Sequence, residues 1–453
     1  MNKKRGLVLL ICLLLVAVTA LGAVIAGKAR AQIPTITAFT EAQTGEEEEE
    51  PETEKSKIKI NYSRLAASLT EVQGREFNSR MLERVDPAVL SELEDAAKLG
   101  NIGDLRFRQI TGYTMNAFLD KYGTMTSRDM GDNGTDTFTL GFTGDINFTE
   151  TGYVMTHAYN MPNGVLDCID ETFQNEMKSA DIMLINNEFP YSERGQRQVD
   201  KKYTFRAKPS HVKYLSAMGV DIVSLANNHV YDYGYDCFVD TLSTLRNEGI
   251  AYVGAGMTAS EANAPVTFLV NGYKVAYIAC SGVEDPIKTP VATETSCGVM
   301  GSYDNGEAVR IAVEEAAKTS DYVIVFPHWG FENTTVLTNA QHTNSRKWID
   351  AGASAVIGCH AHILQGMDYY KGAPVAYGLG NFWFNTRDVY TVLYKLNISG
   401  SGIECQIVPG RQAYSETRYI SDPASQRTLY DKIISWSPNN NIAISDDGII
   451  TEK

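Results

Sequence analysis

The sequence predicts an α/β protein whose sheets are largely parallel. Three observations predict it. From Phe138 onward, short apolar runs alternate with amphipathic helical patterns. A parallel pair needs a crossover between its strands, and a helix of this length supplies one. Several apolar runs stop abruptly at Asp, Asn, Glu or His, as they do where strands end at a ligand crevice. One stretch, PVTFLVNGYKVAYIACS, is interrupted at Asn271-Gly272, the strongest short signal for an antiparallel hairpin.

Taken in order, FTLGFTGDI (138–146) reads as a strand ending at Gly-Asp, and VLDCIDETFQNEMKSA (165–180) as an amphipathic helix. DIMLINNE (181–188) is a strand, SHVKYLSAMG (210–219) a helix, and DIVSLANNH (221–229) a strand. DCFVDTLSTLRNEG (236–249) is a helix that stops at Gly249, and IAYVGAG (250–256) is a strand. The hairpin at 265–281 follows. GEAVRIAVEEAAKTS (306–320) is a helix, DYVIVFPHWG (321–330) a strand, NSRKWIDAG (344–352) a helix and ASAVIGCHAH (353–362) a strand. PVAYGLGNFWF (374–384) and VYTVLYKLNI (389–398) complete the strands. Upstream, VLSELEDAAKLG (89–100) has helical spacing and places a small helical, membrane-proximal region over 58–135. DMGDNGTD (129–136) has the composition of a loop. The main domain is therefore expected over 136–410, with 411–453 as a C-terminal extension.

The N-terminus has a different texture. Residues 1–6 carry Lys3, Lys4 and Arg5, and the twenty-one residues from Leu7 to Gly27 contain no charge. At about 1.5 Å per residue that helix matches a hydrocarbon core of about 30 Å. The stretch is longer than the apolar core of a cleaved signal peptide, although Ala29-Arg30-Ala31 resembles a cleavage site. Residues 7–27 are thus expected to be a single-pass signal-anchor, with the basic end cytoplasmic and the rest of the chain outside the cell membrane. Residues 28–57, with the unbroken run Glu46 to Glu50, read as an acidic disordered linker. The net charge of −15 argues against a nucleic-acid partner, which would need a basic face. Of seven cysteines, Cys12 falls in the apolar segment. The other six have wide spacings, open to disulfides outside the cell or to buried thiols.

The polar residues at strand ends carry the chemistry. Asp145 ends one strand, Glu188 the next, Asn228 and His229 the third, His328 another, and His360 and His362 the last. Four of the seven histidines fall in this set. Carboxylate, amide oxygen and imidazole together suit Mn, Fe, Zn or Mg. In a strand, residues two apart share a side, so His360 and His362 can face one site; if the chain has already left the strand, the loop must aim them.

In their order along the chain, GFTGDINF, LINNEFP, SLANNHVYDYG, FPHWGFE and GCHAHILQG followed by GAPVAYGLGNFWF resemble the signatures of the CapA (PgsA) family. These are bacterial poly-γ-glutamate capsule synthesis proteins within the calcineurin-like metallophosphoesterase superfamily. The resemblance covers roughly 138–385. It implies a four-layer α-β-β-α sandwich with a two-metal centre on strand-end loops. It assigns Asp145, Glu188, Asn228, His328, His360 and His362 as metal ligands, with Glu188 bridging. It puts His229 beside the substrate, with Asp232 to orient it or merely to close a turn. Arg206 and Glu332 recur in the family pattern as substrate-side residues. Two departures stand out: Asn147, counted with Arg206 and Glu332 on the substrate side, occupies a position where many of these phosphoesterases have histidine, though its amide can still offer oxygen to a metal; and the bridging acid is Glu188 rather than aspartate. The resemblance implies two divalent cations and a role in capsule polymer synthesis or export, with an anionic polymer or phosphoester as substrate and other capsule-synthesis membrane subunits as partners. Two other functions stay open: an extracellular metal-dependent phosphoesterase acting on nucleotides, lipids or cell-wall phosphates, and a non-catalytic scaffold subunit.

Overall fold

The computed structural model describes residues 85–99, 102–112, 127–131, 134–283 and 286–453, with isolated positions such as Leu65, Leu69, Leu82 and Phe118. All lie in a single compact unit, Lys59–Lys453. The expected cytoplasmic end, anchor 7–27 and linker 28–57 lie outside the described residues. Among the described residues no helix is long and apolar enough to cross a membrane.

Before the sheets come α1 (Pro87–Lys98) and α2 (Asp104–Thr111). The Asp86 carboxylate caps α1 by accepting from Ala88 N at 2.8 Å. Leu90 and Leu93 of α1 pack with Leu65, Leu82, Phe107 and Phe118 in a small core of their own. The strands are β1 (Ser127–Gly131), β2 (Phe138–Ile146), β3 (Ile182–Asn187), β4 (Ile222–Ser224), β5 (Ala251–Val253), β6 (Ala255–Gly256), β7 (Val266–Val270), β8 (Tyr273–Ser281) and β9 (Gly298–Val299). They continue as β10 (Tyr322–His328), β11 (Ala355–Ile357), β12 (Met367–Tyr370), β13 (Ala373–Ala376), β14 (Asn381–Trp383), β15 (Val389–Ser399), β16 (Gly402–Ala413), β17 (Glu416–Tyr419), β18 (Ile442–Ile444) and β19 (Ile449–Glu452). The larger helices among them are α3 (Glu171–Ser179), α4 (Gly234–Glu248), α5 (Glu307–Ala317), α6 (Asn339–Asp350) and α7 (Pro423–Trp436).

One sheet has seven strands in the order β1-β7-β8-β10-β11-β13-β12, and another has ten along β18-β19-β16-β15-β2-β3-β4-β5, with β14 on β2 and β17 on β16. Pairing is parallel from β2 through β5 and among β8, β10, β11 and β13. The β7–β8 hairpin turns where the sequence places it; Asn271 and Gly272 both have positive φ, 47° and 82°. Inward residues of both sheets meet in a shared core: Leu140, Phe142, Leu184 and Ile222 from one, Val275, Tyr277, Ile324 and Phe326 from the other. The outer face of the larger sheet packs Met183, Ile185 and Val223 against Phe173 and Met177 of α3 and Phe238, Leu242 and Leu245 of α4. The outer face of the smaller sheet packs Ile278, Val323 and Val325 against Val309 and Val313 of α5 and Trp348 of α6. The layers therefore run helix, sheet, sheet, helix. Each fully buried large side chain contributes roughly 1.5–3 kcal/mol.

Two expectations need correction. Residues 127–131 form strand β1, parallel to β7 through Ser127↔Thr267, although 129–136 has a loop's composition. An edge strand paired on one side needs little apolar sequence. Residue 410 falls inside β16, and β17 and β19 pair onto that strand, so the region after 410 continues the larger sheet. Six cysteines are free and buried; the Cys12 expectation lies outside the described residues.

Candidate metal centre

Register brings the polar residues together. Asp145 lies opposite Asn186 across β2–β3, and opposite Asn381 across β2–β14. On the other sheet His328 lies beside Ser281 and bridges to Cys359. The strand end at Asp145 needs a neighbour without a side chain: a Cβ on Gly144 would meet Gly380 O at 1.9 Å. The strand β11 ends at Ile357, and His360 and His362 follow in a loop with φ of 97° and 57°. The loop aims both imidazoles through left-handed backbone that costs of order 1–3 kcal/mol per residue, not through strand alternation.

Asp145, Glu188 and His328 are fully buried, and Asn228, His229, His360 and His362 nearly so. Donor atoms of Glu188, His328 and His360 lie within 4.8 Å of one another, as do those of Asp145, Glu188 and His362. The two groups share Glu188. Its Oε1 finds no hydrogen-bond donor among the described residues. Around it stand three imidazole nitrogens: Nε2 of His328 and of His362, each 3.8 Å away, and Nε2 of His229 at 3.9 Å. Such separations are too long for hydrogen bonds. Donors about 2.1 Å from a shared cation are spaced about 3.0–4.2 Å apart, from right-angled to opposed, so these separations suit a cation between them. His328 Nε2 also has Asn228 Oδ1 and His360 Nδ1 at 2.9 Å each. Three lone-pair atoms converge there, and a cation satisfies all of them. On these grounds the residues fit divalent metal.

The electrostatics agree. Burial pushes the Glu188 carboxyl well above the usual carboxylate range, and neighbouring Asp145 adds to that. Burial holds His328 well below its ordinary value, with His360 and His362 adding to the effect. Burial and the nearby His362 lower His360 to about 3. Asp145 and His362 behave as a pair. Burial raises Asp145, but the hydrogen bond and charge of His362, the hydrogen bond from Asn186 and the charge of His360 together more than offset it. Burial lowers His362, but Asp145, the charge of Glu332 and the hydrogen bond to Asn381 together outweigh that and raise it.

The supporting shell includes residues that sequence reasoning missed. Asn186 Nδ2 donates to Asp145 Oδ1 at 2.8 Å and to Glu188 Oε2 at 3.1 Å, holding the two carboxylates side by side. His362 Nδ1 faces both Asp145 Oδ2 at 3.0 Å and Asn381 Oδ1 at 2.8 Å. Two acceptors fix the proton on Nδ1 and leave Nε2 free. Cys359 Sγ lies 3.3 Å from His328 Nδ1, on the side away from Asn228. Lys201, 5% exposed, pairs with Asp232 Oδ1 at 2.8 Å and also donates to the Asn228 carbonyl. Asp232 Oδ2 accepts from Phe205 N at 2.6 Å and faces His229 Nδ1 at 2.7 Å. The Phe205 ring packs on His229 with centroids 4.2 Å apart.

Three residues expected on the substrate side stand differently. The Asn147 amide oxygen accepts from Thr149 N at 2.8 Å, closing a local turn. Arg206 is half-buried, stacked on Tyr233 at 4.4 Å and 3.5 Å from Glu150. Glu332 is exposed on the loop after β10, and its charge is felt by Glu188 and His362.

A sequence model of the family described as bacterial capsule synthesis protein PGA_cap matches residues 139–386. The PGA biosynthesis protein CapA of Bacillus subtilis (strain 168) is 31% identical over 243 residues, 52% of this chain and 63% of its own. The capsule biosynthesis protein CapA of Bacillus anthracis is 31% identical over 268 residues, 57% and 64% respectively. A probable polyglutamine synthesis accessory protein of Mycobacterium tuberculosis is 29% identical over 216 residues, 46% and 56%. The chain thus spans just under two thirds of the length of the first two relatives. Among solved structures, a putative 5'-nucleotidase from Staphylococcus aureus gives a TM-score of 0.38 at 14% identity, over 66% of this chain and 58% of that one. A hypothetical protein from Thermus thermophilus gives 0.37 at 14%, over 60% and 98%. At such scores the likeness to solved structures carries no weight for function.

Proposed function

Because the chain belongs to the family of bacterial capsule synthesis proteins PGA_cap, we propose that it serves the synthesis or export of a poly-γ-glutamate capsule through a calcineurin-like centre for two divalent cations. The apolar segment 7–27 anchors it in the cell membrane, with the folded part outside beside other capsule-synthesis subunits. The observation that carries the metal reading is the donorless Glu188 Oε1 within 3.9 Å of three imidazole nitrogens. Family membership carries the polymer. Relatives named for PGA and capsule biosynthesis support it.

Asp145, Glu188 and His362 would hold one cation, and Glu188, Asn228, His328 and His360 the other. Bound cations supply Lewis acidity and lower the pKa of water toward neutrality. The chain's own residues do the rest. Asn186 keeps the two carboxylates together at the shared position. Asp232 takes the His229 Nδ1 proton in a hydrogen bond, so Nε2 is the atom that accepts or delivers a proton beside Glu188. Phe205 packs its ring against His229 and would restrict its tilt. Glu332 is exposed near enough for its charge to reach Glu188 and His362, and an anionic chain end or phosphoester would enter past it, with Arg206 as the substrate-side cation.

The test has two levels. Elemental analysis of the purified chain is expected to find divalent metal that His360→Ala loses; wild-type metal content in that variant overturns the ligand assignment. In the producing cell, His360→Ala at its native position is expected to abolish surface poly-γ-glutamate at unchanged protein level. Unchanged polymer, with turnover of a generic phosphodiester by the wild-type protein, would replace the capsule role with that of an extracellular phosphoesterase.

A further inference from the structure

The loops around the centre carry an apolar rim, and we propose that this rim docks on an anionic lipid surface, so that the centre opens toward the bilayer. This rests on the membrane reading above. Among the described residues twelve large apolar side chains are exposed. Six of them, Val199, Tyr203, Tyr235, Ile287, Phe331 and Val336, follow the carboxyl ends of β3, β4, β8 and β10. Three of those ends also supply Glu188, Asn228 and His328, and the end of β8 lies beside His328. Half of the exposed apolar side chains thus gather at one end of the sandwich. Singly they would need no account; gathered, they mark a contact surface.

Hydrogen bonds join these loops into one platform. The Gln198 side chain donates to Tyr231 O at 3.1 Å and to Lys288 O at 2.6 Å, and Gln198 N donates to Asp232 O at 3.0 Å. Gln196 N donates to Tyr233 O at 3.2 Å. Val199 and Ile287 therefore project from neighbouring stretches, and they are the most exposed of the twelve, at 91% and 88%. Asn333 N donates to Ala361 O at 2.8 Å, which seats the loop 331–336 beside the histidine loop.

Charge points to the partner. The stretch 196–203 holds Arg197, Lys201 and Lys202 against one acid, Asp200, in a chain of net charge −15. Lys201 turns inward to Asp232. Arg197 Nη2 donates to the carbonyls of Lys201 and Lys202 at 3.4 and 3.3 Å, and Lys202 Nζ lies 4.8 Å from the Tyr203 ring centroid. Among the described residues neither Arg197 nor Lys202 is paired with a carboxylate. Lipid phosphates attract such cations, and the headgroup boundary takes apolar side chains and tyrosine rings. A polycarboxylate chain would pair with the cations alone and leave the apolar side chains in water. A side chain as exposed as Val199 protrudes alone, and a fluid bilayer, unlike a protein partner, needs no matching pocket to receive it. On the membrane reading, residues 28–57 tether the folded part at an r.m.s. distance of about 30 Å. Such a tether gives an effective concentration of order millimolar, so a weak contact suffices. A polymer end would then reach the centre from the membrane side.

The test uses the full chain in nanodiscs with brominated acyl chains, of phosphatidylcholine alone or mixed with phosphatidylglycerol. Val199→Trp places a fluorophore on the rim. Ile311→Trp places one on α5, over the outer face of the smaller sheet. Both positions are exposed, and each variant is read against the four native tryptophans. In anionic discs bromine is expected to quench roughly half of the emission added by Val199→Trp and none of that added by Ile311→Trp. Docking should weaken in phosphatidylcholine discs and in raised salt. Arg197→Gln and Lys202→Gln should each weaken it about fivefold. No quenching of Val199→Trp in anionic discs, or equal quenching of Ile311→Trp, overturns the inference. So does a Val199→Trp emission that shifts on adding poly-γ-glutamate in detergent and ignores lipid, which would make the rim a polymer surface. A chain that elutes apart from the discs defeats the proposed anchor instead. The same variants are then mixed with brominated vesicles of both compositions, where the same outcomes decide.

Discussion

Two buried carboxylates, both shielded from water, have opposite surroundings. Asp368, 3% exposed, is ringed by donors. Its Oδ2 accepts from Arg346 Nη2 and Tyr377 OH at 3.2 Å each, and its Oδ1 accepts from Tyr369 N at 2.9 Å and from Asn441 Nδ2. Among the described residues Glu188 has one side-chain donor, Asn186, and stands otherwise beside Asp145 and three imidazoles. A buried charge survives only when paired or bonded. Asp368 meets that requirement from the protein and ties α6, β12 and the segment before β18 together. Glu188 does not, and a cation of the kind proposed would meet its need. The difference separates a carboxylate that builds the fold from one that awaits a cation.

Asp232 is the hardest test of this distinction, because it lies at the centre and yet brings its own donors: Lys201, Phe205 N and His229. By its surroundings it belongs with Asp368. Breaking a buried pair by removing one partner costs about 3–5 kcal/mol. Lys201→Met should therefore destabilise the metal-free protein by that amount in chemical denaturation, and adding Asp232→Asn should recover part of it. A Lys201→Met protein as stable as wild type would remove Asp232 from the structural class.

Glu188→Gln is expected to act in the opposite direction on stability and to weaken metal binding about a hundredfold, read by competition with a chelator. The raised carboxyl gives the sign of the pH effect. The folded state keeps its proton above 4.5, where the unfolded chain releases it. The metal-free protein therefore loses stability as pH rises from about 4.5 toward the higher folded value, and Glu188→Gln should flatten that slope in thermal melts. His360 gives the mirror case. Its value falls from 6.5 to about 3, so the unfolded chain takes up a proton that the folded one refuses. Stability should fall as pH drops from 6.5 toward 3, and His360→Ala should remove that part of the fall. Melting curves independent of pH on both sides would contradict the assigned surroundings.

Most of the layered fold was legible because burial writes itself as periodicity: β2, β3, β4 and β10 read as apolar runs, and Asn271-Gly272 as a turn. The strand-end residues that converge were legible because their polar ends interrupt those runs. β1 was not, since Ser127–Gly131 pairs at an edge and carries no apolar pattern. Asn186, Asn381 and Lys201 were not legible either. Their partners lie 41, 19 and 27 residues away, distances at which no local pattern exists. Asn147 is the exception. Asn-x-Thr is a spacing at which an amide oxygen closes its own turn, and that signal could have indicated that its oxygen was engaged.

Asp368→Asn should cost about 1–3 kcal/mol, since an amide replaces one acceptor with a donor among existing donors. Metal affinity should be unchanged, because Asp368 touches none of the proposed ligands. Altered metal content in this variant would mean that the two carboxylates are not independent.

The smallest expected effect concerns Asn381, which touches a proposed ligand without being one. It shares the His362 Nδ1 proton with Asp145 Oδ2, at 2.8 and 3.0 Å. Removing one of two acceptors leaves the tautomer fixed by the other, so the imidazole keeps its free Nε2 but loses one restraint on its tilt. Asn381→Ala should therefore weaken only the cation held by Asp145, Glu188 and His362, by about tenfold, the lower end of what outer partners of metal-binding histidines contribute. Asn381→Asp keeps an acceptor of the same shape and adds a charge that favours the donated proton, so it should restore the affinity. A loss of both cations in Asn381→Ala would instead mark collapse of the β2–β14 contact, where Asn381 lies opposite Asp145. A melting curve of the metal-free variant separates the two outcomes, because a tilted imidazole leaves it in place and a parted strand pair does not.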